Sequence, residues 1–146
     1  MENSKDNQRV VRRYYDAYNL KDEKIFDEVI SNDYIDYGHQ PPGRGLSGAM
    51  DDYREFTGGF KDARFNIDDL VVAGDRVVAR WTCTGTHTGD FIGIPATGKK
   101  MSVLGISMYR LRDGKIVETR NSADVFGMLV QLGVVSPPGM KADKAA

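Results

Sequence analysis

The chain has 146 residues, with 20 Lys and Arg, 21 Asp and Glu, 40% hydrophobic residues and one Cys. This length suits a single domain with one sizeable core, which we place at residues 1–135, and it leaves no room for a second domain. A net charge of -1 without runs of like charge gives no field to attract a nucleic-acid backbone or an anionic membrane, so neither is an expected partner.

The N-terminus lacks the apolar region of a secretory signal, and no apolar run approaches the roughly 18 residues of a membrane span. We therefore expect a cytoplasmic protein. The lone Cys83 cannot form an internal disulfide and is expected to be a buried thiol. The two histidines, His39 and His87, lack the close spacing of common zinc motifs, so no metal is expected.

Helical periodicity dominates the first 60 residues. An amphipathic helix with an aromatic stripe is predicted over residues 6–19, and Asp22 is placed to cap a second helix. A short extended segment follows at residues 34–37. Ser47 is then predicted to cap a third helix that ends near Gly59.

A glycine-rich segment, residues 43–48, matches the dinucleotide fingerprint G-x-G-x-x-G. Two prolines precede it and no βαβ unit follows, whereas the fingerprint needs a parallel strand and a helix N-terminus to hold pyrophosphate. The segment is therefore interpreted as a plain loop, and no cofactor is expected.

After residue 62 the period changes from 3.6 to 2, which predicts strands. The Asp113-Gly114 pair is typical of a hairpin turn. The predicted strands span residues 64–72, 76–86, 100–111 and 115–122; a short helix is predicted at 124–132 and a loose tail at 136–146.

Helices followed by an antiparallel meander indicate an α+β domain in which a curved sheet wraps three N-terminal helices as a cone around an apolar pocket. Alternation places Trp81 and Cys83 on one face of the second strand, and Leu104, Ile106 and Met108 opposite Ser107 and Tyr109 on the third. Both faces are partly apolar. We therefore expect the helices to cover one face and a second subunit to cover the outer face, giving a homodimer.

Several polar side chains are candidates for a site inside the cone. Five of the seven tyrosines lie within the first 37 residues, either as ordinary core or as a cavity lining with polar handles. Asp124 is placed either to cap the last helix or to act in a site. His39 and His87 lie in predicted loops, where exposure is the default and a cavity acid or base is the alternative.

Four segments then resemble the SnoaL-like polyketide cyclase, or ester cyclase, family over about residues 7–135. They are T-H-T-G-D-F-I-G-I-P-A-T-G-K at residues 86–99, G-I-S-M-Y-R at 105–110, D-G-K-I-V-E at 113–118 and D-V-F-G-M-L-V-Q-L-G at 124–133. The resemblance implies the nuclear-transport-factor-2-like (NTF2-like) cone, usually in a dimer or tetramer. It also implies closure of the last ring of an anthracycline precursor by intramolecular aldol condensation, without metal or cofactor.

The resemblance further implies an acid/base aspartate and a histidine, but their positions hold Asn121 and Ser107 in this chain. An amide cannot accept a proton at neutral pH, so Asn121 is left to orient or donate. Among the remaining candidate bases Asp124 is favoured, because enclosure by apolar residues would raise its pKa; His39 follows, and His87 is third.

The sequence thus predicts cofactor-independent enolate chemistry on a small hydrophobic oxygenated ketone or polyketide ester. A related hydroxylase, isomerase, dehydratase or epoxide-opening enzyme is an alternative on the same scaffold, and a non-catalytic small-molecule-binding dimer or an adaptor is an alternative of another class. The predicted catalytic residues are Asp124, Asn121 and His39, and the predicted substrate-binding residues are Tyr14, Tyr18, Tyr37, Trp81, Phe91 and Met108.

Overall fold

The computed structural model describes residues 4–139, which form helices packed against one mixed sheet. No helix in this range is long and apolar enough to cross a membrane. Most of the predicted loose tail, residues 140–146, lies outside the described range. In chain order the elements are α1 (Ser4–Asn19), α2 (Ile25–Val29), β1 (Ile30–Asp36), β2 (Gly43–Arg44), α3 (Gly45–Gly59), β3 (Arg64–Ala73), β4 (Arg76–Thr86), β5 (Lys100–Arg112), β6 (Lys115–Ala123) and α4 (Val125–Gln131).

The predicted α+β class is confirmed, and each of the four long strands begins at the predicted residue. The sheet has the order β2-β1-β6-β5-β4-β3, and its neighbours are antiparallel except for β1 and β6. Only residues 34–37 were expected to be extended in the β1 region. The parallel pairing of Asp36 with Thr119 joins segments that are distant in sequence, so no local pattern could reveal it.

Two predicted helix caps are wrong. Helix α3 begins at Gly45, before Ser47, and Gly45 has a φ of +64°, a conformation that glycine adopts without steric cost. Helix α2 has Lys24 at its N-cap with no side-chain cap. Asp22 instead stabilises the preceding turn, where its carboxylate accepts a hydrogen bond from the Lys24 N–H.

Alternation along β4 and β5 separates an inner from an outer face, as predicted. Trp81 and Cys83 are buried, while Leu104 and Ile106 on the outer face are 59% and 51% exposed. Register shifts after Ile67 in β3 and near Arg110 in β5 mark irregularities of the kind that bends strands. Helix α1 packs against the inner face of the sheet, and the interior of the cone lies between them.

Asn7 is a buried polar residue that the packing does not satisfy. Its side chain in α1 is fully buried, and neither amide atom has a hydrogen-bond partner among residues 4–139. We expect Asn7→Leu to raise the free energy of unfolding by about 1–3 kcal/mol, the cost of an unsatisfied buried polar group. Urea unfolding measures the change.

Asn19 provides the matched control, because its amide both donates to the Phe65 carbonyl and accepts from the Phe65 N–H. Asn19→Leu should therefore destabilise the protein. A lower stability for Asn7→Leu than for the wild type would show that the Asn7 amide is satisfied in solution.

Candidate active site

A cavity of about 230 Å³ lies inside the cone, between the inner face of the sheet and the helices. Most of its lining is aromatic or sulfur-containing, which suits a flat, largely apolar molecule. Burial raises the pKa of the Cys83 thiol to about 12, so this cysteine stays protonated, as expected of a buried thiol. The aromatic and sulfur-containing residues of the lining are Tyr14, Tyr15, Tyr18, Phe56, Phe65, Trp81, Cys83, Phe91, Met101, Tyr109 and Met128.

Two ionisable side chains, His39 and Asp52, line the cavity, one from a turn and one from a helix. Asp36 ends β1, and its carboxylate accepts a hydrogen bond of 2.7 Å from the Gly38 N–H, forming an Asx-type turn. This turn directs His39 back towards α3. In α3, Asp52 lies one turn before Phe56, so both side chains point from the same face of the helix into the cavity.

His39 and Asp52 form a close ionisable pair in the cavity wall. The distance from His39 Nε2 to Asp52 Oδ1 is 2.9 Å, and that from His39 Nε2 to Asp36 Oδ2 is 3.5 Å. The Tyr18 hydroxyl donates to Asp52 Oδ2 over 3.4 Å. The His39 side chain is 44% exposed and that of Asp52 is 32% exposed, so the pair lies where the cavity meets solvent.

The surroundings of Asp52 favour proton transfer. Burial raises the pKa of the Asp52 carboxyl above its ordinary value of 3.8, and the nearby Asp36 charge raises it further. His39 and Tyr18 act in the opposite direction, because both stabilise the carboxylate. The result is a carboxylate of raised basicity beside an apolar cavity, which is what a general base requires.

Asn121 and Ser107 extend the polar groups across the inner face of the sheet. They occupy directly paired positions of β6 and β5, and both line the cavity. Asn121 packs over Gly38, where an added Cβ would lie 2.6 Å from its Oδ1. Asn121 therefore adjoins the turn that carries His39, while Ser107 is buried deeper in the sheet.

The structure brings together part of the predicted site. Of the predicted catalytic residues, His39 and Asn121 line the cavity. Two predicted substrate-binding residues do not. Tyr37 is 39% exposed beneath the Arg120 guanidinium, and Met108 is 39% exposed on the outer face of β5. The predicted binding residues that do line the cavity are Tyr14, Tyr18, Trp81 and Phe91.

The prediction that Asp124 faces the cavity is corrected. Asp124 is exposed at the start of α4, where its carboxylate accepts a hydrogen bond of 2.8 Å from the Gly127 N–H, and it does not line the cavity. It performs the helix-cap role that the sequence left as the alternative.

His87 also differs from expectation, because it is fully buried. Its Nδ1 accepts a hydrogen bond from the Thr97 N–H, and its ring stacks on Phe60. It holds the ends of the 87–99 loop together and does not line the cavity.

Asp52 is not among the predicted site residues, although the sequence carries a signal for it. It is a charged residue four positions before Phe56, on the apolar side of a predicted amphipathic helix. A carboxylate at such a position is costly to bury without partners, and it points to a functional site. Other lining residues outside the predicted site include Tyr15, Ser107, Tyr109 and Thr119.

Asp36, His39 and Asp52 also have the donor types of a divalent-cation site, and their ligand atoms lie within 4.8 Å of one another. In the structure, however, His39 Nε2 is hydrogen-bonded to Asp52 at 2.9 Å, so this nitrogen carries a proton when Asp52 is ionised. We interpret the group as a hydrogen-bonded pair with a neighbouring carboxylate. The expectation that no metal is needed stays a prediction.

A curved sheet wrapped on helices around a cavity is the NTF2-like fold. The sequence pattern described as SnoaL-like polyketide cyclase matches residues 8–132 of the chain. The chain therefore belongs to the SnoaL-like polyketide cyclase family.

Individual relatives agree with this assignment. Aklanonic acid methyl ester cyclase DnrD of Streptomyces peucetius is 31% identical over 128 residues, which cover 85% of this chain and 88% of that protein. The cyclase of the same description, DauD, from Streptomyces sp. (strain C5) is also 31% identical, over 85% of this chain and 80% of its own length. Among solved structures, TsrD from Streptomyces laurentii is 30% identical with a TM-score of 0.86, covering 92% of this chain and all of that one.

Proposed function

We propose that this protein closes a ring in a polyketide ester by enolate chemistry, with Asp52 as the base. Asp52 removes a proton from the carbon next to a carbonyl, and the resulting enolate carbon attacks a second carbonyl of the same molecule. The proton held by Asp52 is then returned to the new alkoxide, so the product is an isomer of the substrate. The Asp52–His39 pair at the wall of an aromatic cavity is the observation that carries this proposal.

The neighbouring residues support Asp52 in this role. His39 holds one carboxylate oxygen at 2.9 Å, which fixes the orientation of the carboxylate, while the other oxygen has only the longer contact to Tyr18. Asn121 stands at the position of the acid/base aspartate implied by the family resemblance. It can orient the substrate or donate to an oxygen, whereas the proton acceptor is supplied from α3 instead.

To test this, the protein is incubated with aklanonic acid methyl ester, the compound after which both cyclase relatives are named. The products are then analysed by chromatography and mass spectrometry. We expect a product of unchanged mass and altered retention time. Tight binding without a product would favour a small-molecule-binding protein. A product heavier by one oxygen would favour a hydroxylase of the same scaffold. Retention of turnover after dialysis against a chelator would support the expectation that no metal takes part.

The pH dependence of turnover should report the surroundings of Asp52. The base must be ionised, so kcat/KM should fall as the pH is lowered through the pKa of Asp52, which lies above 3.8. Asp36→Asn removes a neighbouring negative charge and should move this acidic limb to lower pH. His39→Gln removes a group that stabilises the carboxylate and should move it to higher pH. If the acidic limb of the kcat/KM profile lies at the same pH in both variants as in the wild type, the assignment of Asp52 as the base is contradicted.

We also propose that the outer face of the sheet is the interface of a homodimer. Three apolar side chains of β5, Leu104, Ile106 and Met108, are between 39% and 59% exposed there and form one row. Light scattering at micromolar concentration should give about twice 16.2 kDa, and Ile106→Glu should return the monomer mass. A 16.2 kDa species for the wild type would refute this interface.

Location in the cytoplasm stays a prediction.

A further inference from the structure

A second group of polar side chains lies inside the cavity, on the side of Asn121 away from the base. It consists of Ser107, Tyr15 and Tyr109, which we call the hydroxyl trio. All three side chains are buried and line the cavity. The trio contains no carboxylate or imidazole, so it differs in chemistry from the Asp52–His39 pair.

The three hydroxyls of the trio form one hydrogen-bonded cluster. The Tyr109 hydroxyl donates to the Tyr15 hydroxyl over 2.6 Å. The Trp81 indole N–H donates to Ser107 Oγ over 3.0 Å, which uses an acceptor site of Ser107 but not its proton. These two bonds use one of the three hydroxyl protons. Ser107 is also close enough to both phenols to hydrogen-bond with them. The other two hydroxyl protons can therefore be shared within the trio or turned towards an oxygen of a bound ligand.

The phenols of the trio stay protonated. Burial raises the pKa of Tyr15 to about 12 and raises that of Tyr109 well above its usual range. At neutral pH both residues are therefore hydrogen-bond donors and not bases. An apolar wall with three clustered O–H donors matches an oxygen atom of the ligand that carries, or develops, negative charge.

The position of the trio relates it to the proposed base. Ser107 is paired directly across the sheet with Asn121, and Asn121 packs over the turn that leads to His39. Polar groups thus run from the base, through Asn121, to the trio. A substrate carbon facing Asp52 would therefore place its adjacent carbonyl oxygen along this line.

We infer that the hydroxyl trio is an oxyanion site, in which Ser107 and a phenol of Tyr15 or Tyr109 donate hydrogen bonds to the enolate oxygen of the substrate. This inference rests on the proposed function for the identity of the substrate. It predicts that the cavity prefers flat molecules with an acidic enol or phenol oxygen. The residues that bind this oxygen are then different from Asp52, the proposed base.

The test uses 2-naphthol, an enolate-like aromatic phenol, with naphthalene as the matched ligand that lacks the oxygen. Fluorescence titration should show that Ser107→Ala and Tyr15→Phe each weaken 2-naphthol binding by about 10-fold, the value of one net hydrogen bond, and leave naphthalene binding unchanged. The absorption spectrum of bound 2-naphthol should show a larger ionised fraction in the wild type than in either variant. Ser136→Ala, at an exposed position after α4, serves as the control and should behave as the wild type.

If Ser107→Ala and Tyr15→Phe bind 2-naphthol as tightly as the wild type does, the inference of an oxyanion site is wrong. Tyr15→Phe removes only a hydroxyl, so it keeps the test decisive if Ser107→Ala fails to fold. The outcome is separable from that of the proposed function. If the ester is not turned over but 2-naphthol binding depends on Ser107, the oxyanion site stands and the ring closure fails. If the ester is cyclised equally well by Ser107→Ala, the ring closure stands and the oxyanion site fails.

Discussion

Replacement of Asp52 by Asn should lower kcat/KM for the polyketide ester by about 10²–10⁴-fold, the usual contribution of a general base. The amide has nearly the same size and still accepts a hydrogen bond from His39, so the cavity should keep its shape. It has no basic site for the substrate proton at neutral pH. Initial rates of product formation, with circular dichroism as a check of folding, measure the effect.

Asp124→Asn is the matched control for this variant. Asp124 is a carboxylate on the same chain that caps α4 and does not line the cavity. Asn is also a good N-cap residue, so its folding and turnover should remain close to those of the wild type. A greater loss of turnover in Asp124→Asn than in Asp52→Asn would reverse our assignment of the base.

Replacement of Gly105 by Ala should destabilise the fold by about 3 kcal/mol and disturb the cavity. Gly105 pairs with Trp81 across the sheet, and a Cβ at this position would lie 2.2 Å from Cζ2 of the indole ring. The ring has little freedom to move, because its N–H is bonded to Ser107 and it packs in an edge-to-face contact with the Phe65 ring. Trp81 would be displaced from the cavity wall.

Urea unfolding followed by tryptophan fluorescence is suited to this variant, because Trp81 is the single tryptophan of the chain. The emission of the folded state should also change. Gly58→Ala is the control: a Cβ there meets no atom within 4 Å, and alanine is favoured over glycine in a helix such as α3. Equal unfolding free energies for Gly105→Ala and the wild type would show that the indole does not occupy the space above Gly105.

The long strands were predictable because their signals are local. Alternating burial in β4 and β5 follows directly from the two-residue period, and the Asp113-Gly114 turn fixes the hairpin between β5 and β6. The parallel contact between β1 and β6 was not predictable in this way, because it depends on where the helices return the chain to the sheet.

The site was harder to predict because its residues come from separate elements. Asp124 fitted both a cap and a base by local pattern, and only its bond to Gly127 distinguishes the two roles. Asp52 and His39 are brought to 2.9 Å by a turn and a helix whose relative placement is not encoded in any short motif. The aromatic lining could be predicted in part from the sequence, since Tyr14 and Tyr18 lie four residues apart on one face of α1.

Solvent deuterium exchange tests most directly whether the cavity generates an enolate. Aklanonic acid methyl ester is incubated in D₂O with the wild-type protein or with Asp52→Asn, and deuterium at the carbons next to carbonyl groups is measured at early times by mass spectrometry and NMR. We predict that the wild type introduces deuterium at one such carbon faster than buffer alone, and that Asp52→Asn matches the buffer. Wild-type exchange no faster than in buffer, or equally fast exchange by Asp52→Asn, would contradict the assignment of Asp52 as the base that forms the enolate.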